Sequence, residues 1–490
     1  MSGAILSLDQ GTSATKALVV RPDGSIAAVA EAPVASRVVG SEGFETDAEH
    51  LWSSVVVAGT AAADRSGEEI VAVSLANQGE TVLAWQRSSG TPLSAAIGWQ
   101  DRRAAAVCDA LAPRREEVRG LSGLQLDPYF SGPKVAWLRP QVPADAVITT
   151  TDAWLLHRLA GCYVTDAATA SRTLLYDLDR GSWSEELCSM FGVDPASLPD
   201  IVANSSVVGT TGAFGRDVPV VGTAVDQQSA LFAEGCFERG QAKCTYGTGA
   251  FLLTTLGPSA TRSAAGLATS VAWRLGATTT YCLDGQVYSA GSAVEWIVGL
   301  GIVTSVEDLD AAVDHGATVL RGTEGPDEVF VPALSGLAAP YWAPAARGSW
   351  SGLSLSTDRR ALVRAVLEGI AANVAVLARA GAADLGEPIV RLRADGGLAR
   401  SVALMQAQAD LMQVPVDVYA TPHATALGVA AMGRLGLDEA TTPAAAVGAW
   451  RPSRTFEPAC SADEAETRLA RWRRAAAAVA YGLGGSTVAE

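Results

Sequence analysis

The chain has 490 residues, 49% of them hydrophobic and 18% charged, and a formal net charge of -16. That length predicts two or three domains with sizeable cores and a cleft between them. The acidic balance excludes a general nucleic-acid or anionic-membrane binder, which needs a basic footprint, but it admits a phosphorylated ligand held by backbone amides and a metal ion.

Met1 and Ser2 run straight into an apolar stretch with no basic leader, and Asp9 interrupts that stretch too early for a secretory core. The Ala-rich stretches are all broken by Arg, Asp or Glu, so no membrane span is predicted and a cytoplasmic protein is expected. Seven scattered cysteines without CxxC spacing predict reduced, mostly buried thiols and neither disulfides nor zinc.

Residues 4–8, 17–20 and 26–30 read as three strands, the first two joined by Asp9-Gln10-Gly11-Thr12-Ser13-Ala14-Thr15-Lys16. Hydroxyls and a glycine there make a turn able to grip a phosphate, with Lys16 adding charge, although the same pattern also forms an ordinary Asx turn. Residues 47–62 read as a helix and 70–75 as a buried strand, after which Asn77, Gln78, Gly79 and Glu80 form a polar set at the strand's carboxyl end. Trp99 to Arg103 opens a predicted helix, and Tyr129 sits in a loop. Core packing is the default for both aromatics; their company with Glu80 and Asp226 raises the ligand reading.

The organising stretch follows. The apolar run 218–225 reads as a buried strand, and Asp226, Gln227 and Gln228 leave it before a helix predicted over 229–233. Polar groups at the carboxyl end of a strand in an α/β protein face the crevice where ligands sit, so Asp226 is the first candidate for chemistry. Further on, Tyr246-Gly247-Thr248-Gly249-Ala250-Phe251 sets a hydroxyl between two glycines, where backbone can approach a phosphate closely. Gly291 precedes a helical pattern through Glu295 and Trp296. A long helix is predicted over 359–377, and Asp395-Gly396-Gly397 opens a helix over 400–411, aiming its N-terminus at negative charge. A strand over 414–418 and a helix over 424–435 repeat the alternation. The last predicted helix, 463–483, carries Arg468, Arg471, Arg473 and Arg474 on what reads as a solvated face. The echo of Asp9 to Thr12 in Tyr246 to Gly249, each at the start of a run of strands, predicts two similar halves facing a cleft.

Taken together, LSLDQGTSATKALVV from Leu6, LANQGET from Leu75, GWQDRR from Gly98, LDPYFSGPKVAW from Leu126, VTDAATASRTLLYDL from Val164, VDQQSALFAEGCF from Val225, TYGTGAFLL from Thr245, LSGLAAPYWAPAARGSWSGL from Leu334 and LRADGGLARSVALMQAQADLM from Leu392 resemble the FGGY family of carbohydrate kinases, and within it the glycerol kinase branch. The resemblance covers nearly the whole chain. It implies an α/β fold of two actin-like, ribonuclease-H-like domains, divided here as 1–236 and 237–490, with ATP in the cleft and the alcohol beneath it. It implies an ATP-dependent kinase acting on a terminal hydroxyl, glycerol to glycerol 3-phosphate above all, with Asp226 as general base. Asp9 and Asp226 are implied to hold Mg2+ through water. Thr12, Ser13, Lys16, Thr248, Gly291, Glu295, Gly397 and Ser401 are implied to meet the nucleotide, and Glu80, Trp99, Tyr129, Asp226, Gln227 and Phe251 to line the polyol pocket. A homodimer or homotetramer is the habit of the family.

The physics agrees with these roles. Phosphoryl transfer needs charge neutralisation and alignment more than covalent chemistry, and an alcohol is a poor nucleophile until a base accepts its proton. The chain also departs from the resemblance. Gly79 stands where the glycerol kinase branch has a glycerol-binding Arg, which opens the alternative of a longer polyol or ketose. Ser401 replaces an Asn, Glu295 a Gln and His423 a Glu; for His423 a surface or capping role is expected. The segment 210–219 lacks the loop that binds fructose 1,6-bisphosphate, and none of His50, His157, His315 and His423 matches a phosphorylated regulatory histidine. A non-catalytic ATP-binding sensor on the same fold is the remote alternative. A NAD-dependent dehydrogenase is excluded, because no GxGxxG follows the first strand.

Overall fold

The computed structural model describes residues 3–313 and 328–482; His315 and the predicted helix end at Leu483 lie outside them. In the first half, β1 (Ala4–Gln10), β2 (Ala14–Val20) and β3 (Ile26–Pro33) form an antiparallel meander. Helix α1 (Ala48–Ser66) lies across β2 and β3, capped by Asp47, whose carboxylate accepts from the His50 N–H, and stopped by Gly67 in the left-handed conformation. Strand β4 (Ile70–Asn77) runs parallel to β1, and β5 (Val207–Thr211) and β6 (Val218–Val225) complete the order β5-β6-β4-β1-β2-β3. β1, β4 and β6 are buried on both faces, which is why they read as apolar runs rather than as alternating patterns.

Helix α2 (Asp226–Ala233) leads to the second half, where β7 (Ala242–Tyr246), β8 (Ala250–Gly257), β9 (Ala268–Leu275) and β10 (Thr278–Val287) precede α3 (Gly291–Gly299) and α4 (Arg359–Leu385). Then come β11 (Leu392–Asp395), α5 (Val402–Met412), β12 (Val416–Val418), α6 (Ala424–Leu437), β13 (Arg454–Phe456) and α7 (Ala462–Tyr481). The second sheet runs β9-β10-β8-β7-β11-β12-β13. The expected echo is present: β1 pairs antiparallel with β2 and parallel with β4, and β7 pairs antiparallel with β8 and parallel with β11.

Helix α4 is long and apolar enough to cross a membrane, and 83% of its apolar window is buried inside the protein. It runs to Leu385, beyond the expected residue 377, because Ala380, Ala382 and Ala383 continue it until Gly386 takes the left-handed cap. Helix α6 belongs to the second half of the chain but packs on β6, β4, β1 and α2. Its Gly428 makes that approach possible, since a Cβ there would lie 1.8 Å from the Ser229 carbonyl oxygen.

Three local expectations differ from the fold. The helix expected to open at Trp99 begins at Ala105, because the Asp101 carboxylate accepts from the Phe44 and Arg103 N–H groups and holds the intervening chain in turns. His423 precedes α6 but makes no capping hydrogen bond. Arg468 is not on a solvated face: its Nη2 lies 3.0 Å from Glu368 and its side chain is 17% exposed, so it helps to dock α7.

Candidate active site

The carboxyl ends of three neighbouring parallel strands meet at one edge of the first sheet. Gln10 of β1 and Val225 of β6 both stand in register with Asn77 of β4. This register brings Asp9, the turn Gln78-Gly79-Glu80 and Asp226 to a common edge, where ligands bind in open α/β sheets. Helix α2 begins at Asp226, three residues earlier than expected, and the Asp226 carboxylate accepts from the Gln227 N–H at 2.7 Å. Burial pushes Asp226 up to about 6, reinforced by the negative charge of Asp9. Burial likewise pushes Asp9 up to about 6; Lys16, its antiparallel partner on β2, opposes the rise, while Glu31 and Asp395 add to it. Two half-buried carboxyls at one sheet edge, with the charge of Asp9 raising Asp226, are poised to take up protons or to share a cation.

Glu80 has φ of 61°, a left-handed conformation rare for a residue with a side chain, and it is 3% exposed. Its carboxylate accepts from Arg172 Nε at 2.5 Å, and the same guanidinium reaches Asp284 from Nη1 at 2.5 Å. Trp99 stands edge-on to Tyr129 at 5.7 Å and to Phe251 at 6.2 Å between centroids, making an aromatic wall. The Trp99 indole N–H donates to the Thr12 hydroxyl, which in turn donates to Gln78. Gln227 is held from the second half, where Lys243 Nζ donates to its Oε1 and to the Thr245 hydroxyl, each at 2.6 Å. Apolar walls with a few fixed carboxylates and amides are what a small polyhydroxy ligand needs.

A separate cavity of about 480 Å³ opens at the ends of β7 and β11. Thr248, Gly291, Glu295, Gly397 and Ser401 all line it, as expected from the sequence. Its shape depends on glycine: a Cβ on Gly291 would lie 2.5 Å from the Gly247 carbonyl oxygen, and one on Gly396, at φ of 92°, 2.5 Å from that of Tyr246. Thr12, Ser13 and Lys16 are not among its walls. They belong to the first-half side, Thr12 engaged with Gln78 and Trp99 and Lys16 opposite Asp9.

Sequence reasoning missed several groups. Asp310 accepts from the Ser401 hydroxyl at 2.7 Å and from the Val402 and Ala403 N–H groups, so it caps α5 at the cavity and occupies the hydroxyl assigned to the nucleotide. Glu307 and Arg400 also line this cavity, while Arg172, Asp284 and Lys243 frame the polyol side. Arg172 lay within a quoted motif, but its two partners are remote in sequence and left no local signal. Among the described residues, no trio of His, Cys, Asp or Glu is drawn together tightly enough to ligate a metal ion directly.

Comparison with known proteins gives the family. The model for the FGGY family of carbohydrate kinases, N-terminal domain, matches residues 4–233, and the C-terminal domain of the same family matches 242–436. The chain belongs to the FGGY family of carbohydrate kinases. This FGGY kinase is 41% identical to the glycerol kinase of Myxococcus xanthus, with 96% of this chain and 98% of that one covered. It is 40% identical to the glycerol kinase of Aromatoleum aromaticum over 96% and 97% of the two chains. Among solved structures it is similar to the Plasmodium falciparum glycerol kinase with ADP, at a TM-score of 0.88, 28% identity and 98% coverage of both chains. A xylulose kinase from Brucella ovis shares the fold, at a TM-score of 0.84 and 24% identity over 96% of each chain. The protein is therefore an ATP-dependent carbohydrate or polyol kinase acting on a small molecule.

Proposed function

We propose that this FGGY kinase transfers the terminal phosphoryl group of ATP to a terminal hydroxyl of a small polyol, glycerol first of all, giving glycerol 3-phosphate and ADP. The observation that carries the reading is Asp226, a half-buried carboxyl at the end of β6, set among Glu80, Gln227 and the aromatic wall of Trp99, Tyr129 and Phe251. The relatives named glycerol kinase supply the substrate. In this reading Asp226 accepts the proton of the attacking hydroxyl as its oxygen bonds to phosphorus and the bond to the ADP oxygen breaks. Glu80 and Gln227 orient the alcohol, and the aromatic rings exclude water. Thr248, Gly291, Glu295, Gly397 and Ser401 hold the nucleotide, with Thr12, Ser13 and Lys16 meeting its phosphates when the cleft closes.

Asp9 and Asp226 fit a divalent magnesium ion held through water, because both are oxygen donors at one sheet edge and the charge of Asp9 pushes Asp226 toward protonation. Bound there, magnesium supplies charge neutralisation to the phosphates. We divide the halves between residues 236 and 237 and expect a homodimer or homotetramer. We place the enzyme in the cytoplasm, where ATP is made and where its seven unpaired thiols stay reduced.

One observation favours a second reading, a kinase of a tetritol, pentitol or pentulose. Gly79 stands where the resemblance expects an arginine, and a Cβ there would lie 2.7 Å from Val225 Cγ2, so Val225 would have to shift for any side chain at this position. ADP release with ATP and magnesium against glycerol, four- and five-carbon polyols and ketoses, with Asp226→Asn as the blank, separates the two. The highest kcat/KM for glycerol supports the first reading, and a longer substrate ahead by tenfold replaces it with the second. Asp226→Asn is expected to lower kcat by about 100- to 10,000-fold.

A further inference from the structure

Gly79 leaves the polyol pocket without the guanidinium that the resemblance expects, yet a buried guanidinium stands beside Glu80 from another part of the chain. We propose that Arg172 is the positioning residue of the polyol site, holding Glu80 as an ionised acceptor for substrate hydroxyls and tying it through Asp284 to the sheet of the second half. This inference rests on the kinase reading above and adds a residue to it.

The geometry is that of a bridge. The side chains of Arg172, Glu80 and Asp284 are 4%, 4% and 1% exposed. Arg172 spends Nε on Glu80 and Nη1 on Asp284, two directions that a planar fork supplies and a lysine point charge does not. The rings of Tyr129 and Phe130 lie 5.9 and 5.5 Å from its guanidinium carbon and shield it from water. On the far side, Asp284 Oδ2 also takes the Gln286 amide at 3.3 Å, while its buried Oδ1 has no partner among the described residues. Gln286 stands opposite Phe251 across the β8–β10 ladder, so the anchor is built into the strand pair that carries an aromatic wall of the pocket.

The charge balance gives the bridge its purpose. Burial drives Glu80 toward its neutral form and the charge of Asp226 adds to this, while Arg172 opposes it by charge and hydrogen bond and Lys134 by charge. A neutral Glu80 places a proton where an acceptor is needed, so polyol hydroxyls that donate to it lose their partner. Without Arg172, both Glu80 and Asp284 are left as buried carboxyls deprived of their ion pair.

The test is steady-state kinetics of the full chain with glycerol and ATP, for wild type, Arg172→Met, Glu80→Gln and the double variant. The expected result is a polyol KM raised 30-fold or more by Arg172→Met, with kcat lowered less than tenfold and the KM for ATP within threefold. In the Glu80→Gln background the same replacement should change the polyol KM less than threefold, because the group it acts through is already neutral. Arg172→Lys should recover part of the KM. An effect of equal size in both backgrounds, or an equal loss in kcat and in both KM values, overturns the proposal. Should Arg172→Met not accumulate as folded protein, Asp284→Asn carries the test: a three- to tenfold rise in polyol KM that disappears in the Glu80→Gln background supports it, and an unchanged KM overturns it. A wild type that turns over no polyol or ketose refutes the function proposed above, whereas turnover without these shifts refutes only the role of Arg172.

Discussion

Lys243 Nζ lies 2.6 Å from Gln227 Oε1, joining β7 of the second half to the helix that carries Asp226. The lysine is fully buried and its second bond goes to Thr245, so Gln227 is held in place by a charge that has no freedom to wander. Lys243→Met should therefore raise the polyol KM by about tenfold or more, the worth of a charge-assisted hydrogen bond. Initial-rate measurements over a range of polyol concentrations check this; an unchanged KM would mean that Gln227 does not touch the substrate.

The acid limb of activity should fall near pH 6. Asp226 and Asp9 are each pushed up to about 6, first by burial, and the charge of Asp9 adds to the rise of Asp226. A proton on Asp226 removes the base, so kcat/KM should drop as pH falls through about 6 and level off above it. Raising the magnesium concentration should move the limb to lower pH, since a cation favours the charged carboxylates. A profile flat down to pH 5 contradicts the assignment.

Glu234 is a buried acid that the reaction does not use. Among the described residues, no amide, hydroxyl or guanidinium donates to either of its oxygens, and burial, with the neighbouring Asp395, pushes it well above the usual carboxylate range. Its folded-state value is raised, so the stability it contributes is fully present below its unfolded value of about 4.3 and is lost as pH rises toward the folded one. Glu234→Gln should accordingly raise Tm at pH 8, and the gain should shrink toward pH 5, at up to about 1.4 kcal/mol per pH unit. Thermal melts at three pH values decide it.

Gly396 carries a positive φ and no room for a Cβ. Gly396→Ala forces a side chain into a backbone region, φ 92° and ψ 171°, that is essentially open only to glycine, at a cost of about 1–3 kcal/mol, and presses on the Tyr246 carbonyl at the cavity floor. The KM for ATP should rise about tenfold, more than the KM for the polyol. Equal changes in both would place the damage in the fold rather than in the nucleotide site.

The sequence by itself determined where the strands of the site lie, because apolar runs are local, but not their ends. β1 runs on to Gln10 with Asp9 inside its ladder, β2 opens at Ala14 and β4 runs on to Asn77, since strand pairing carries the chain past its apolar residues. Asp9 and Asp226 follow apolar runs, and Gly249 and Gly396 sit at strand ends where a Cβ would meet backbone oxygens at 2.7 and 2.5 Å. The sequence also singled out Thr248 and Gly397, which belong to glycine-rich motifs, and Gly291, which opens a helical pattern; all three line the cavity. Tertiary structure alone decided who pairs with whom. Arg172 meets Glu80 across 92 residues and Asp284 across 112, and no periodicity or turn chemistry records a contact at such separations. The same holds for α6, whose apolar pattern predicts a helix but not that it covers the first-half sheet, and for Ser401, whose hydroxyl goes to Asp310. Local propensity fixes where the chain bends and which face is apolar; the partner of a buried charge is fixed only when desolvation, in the assembled cleft, leaves it one place to go.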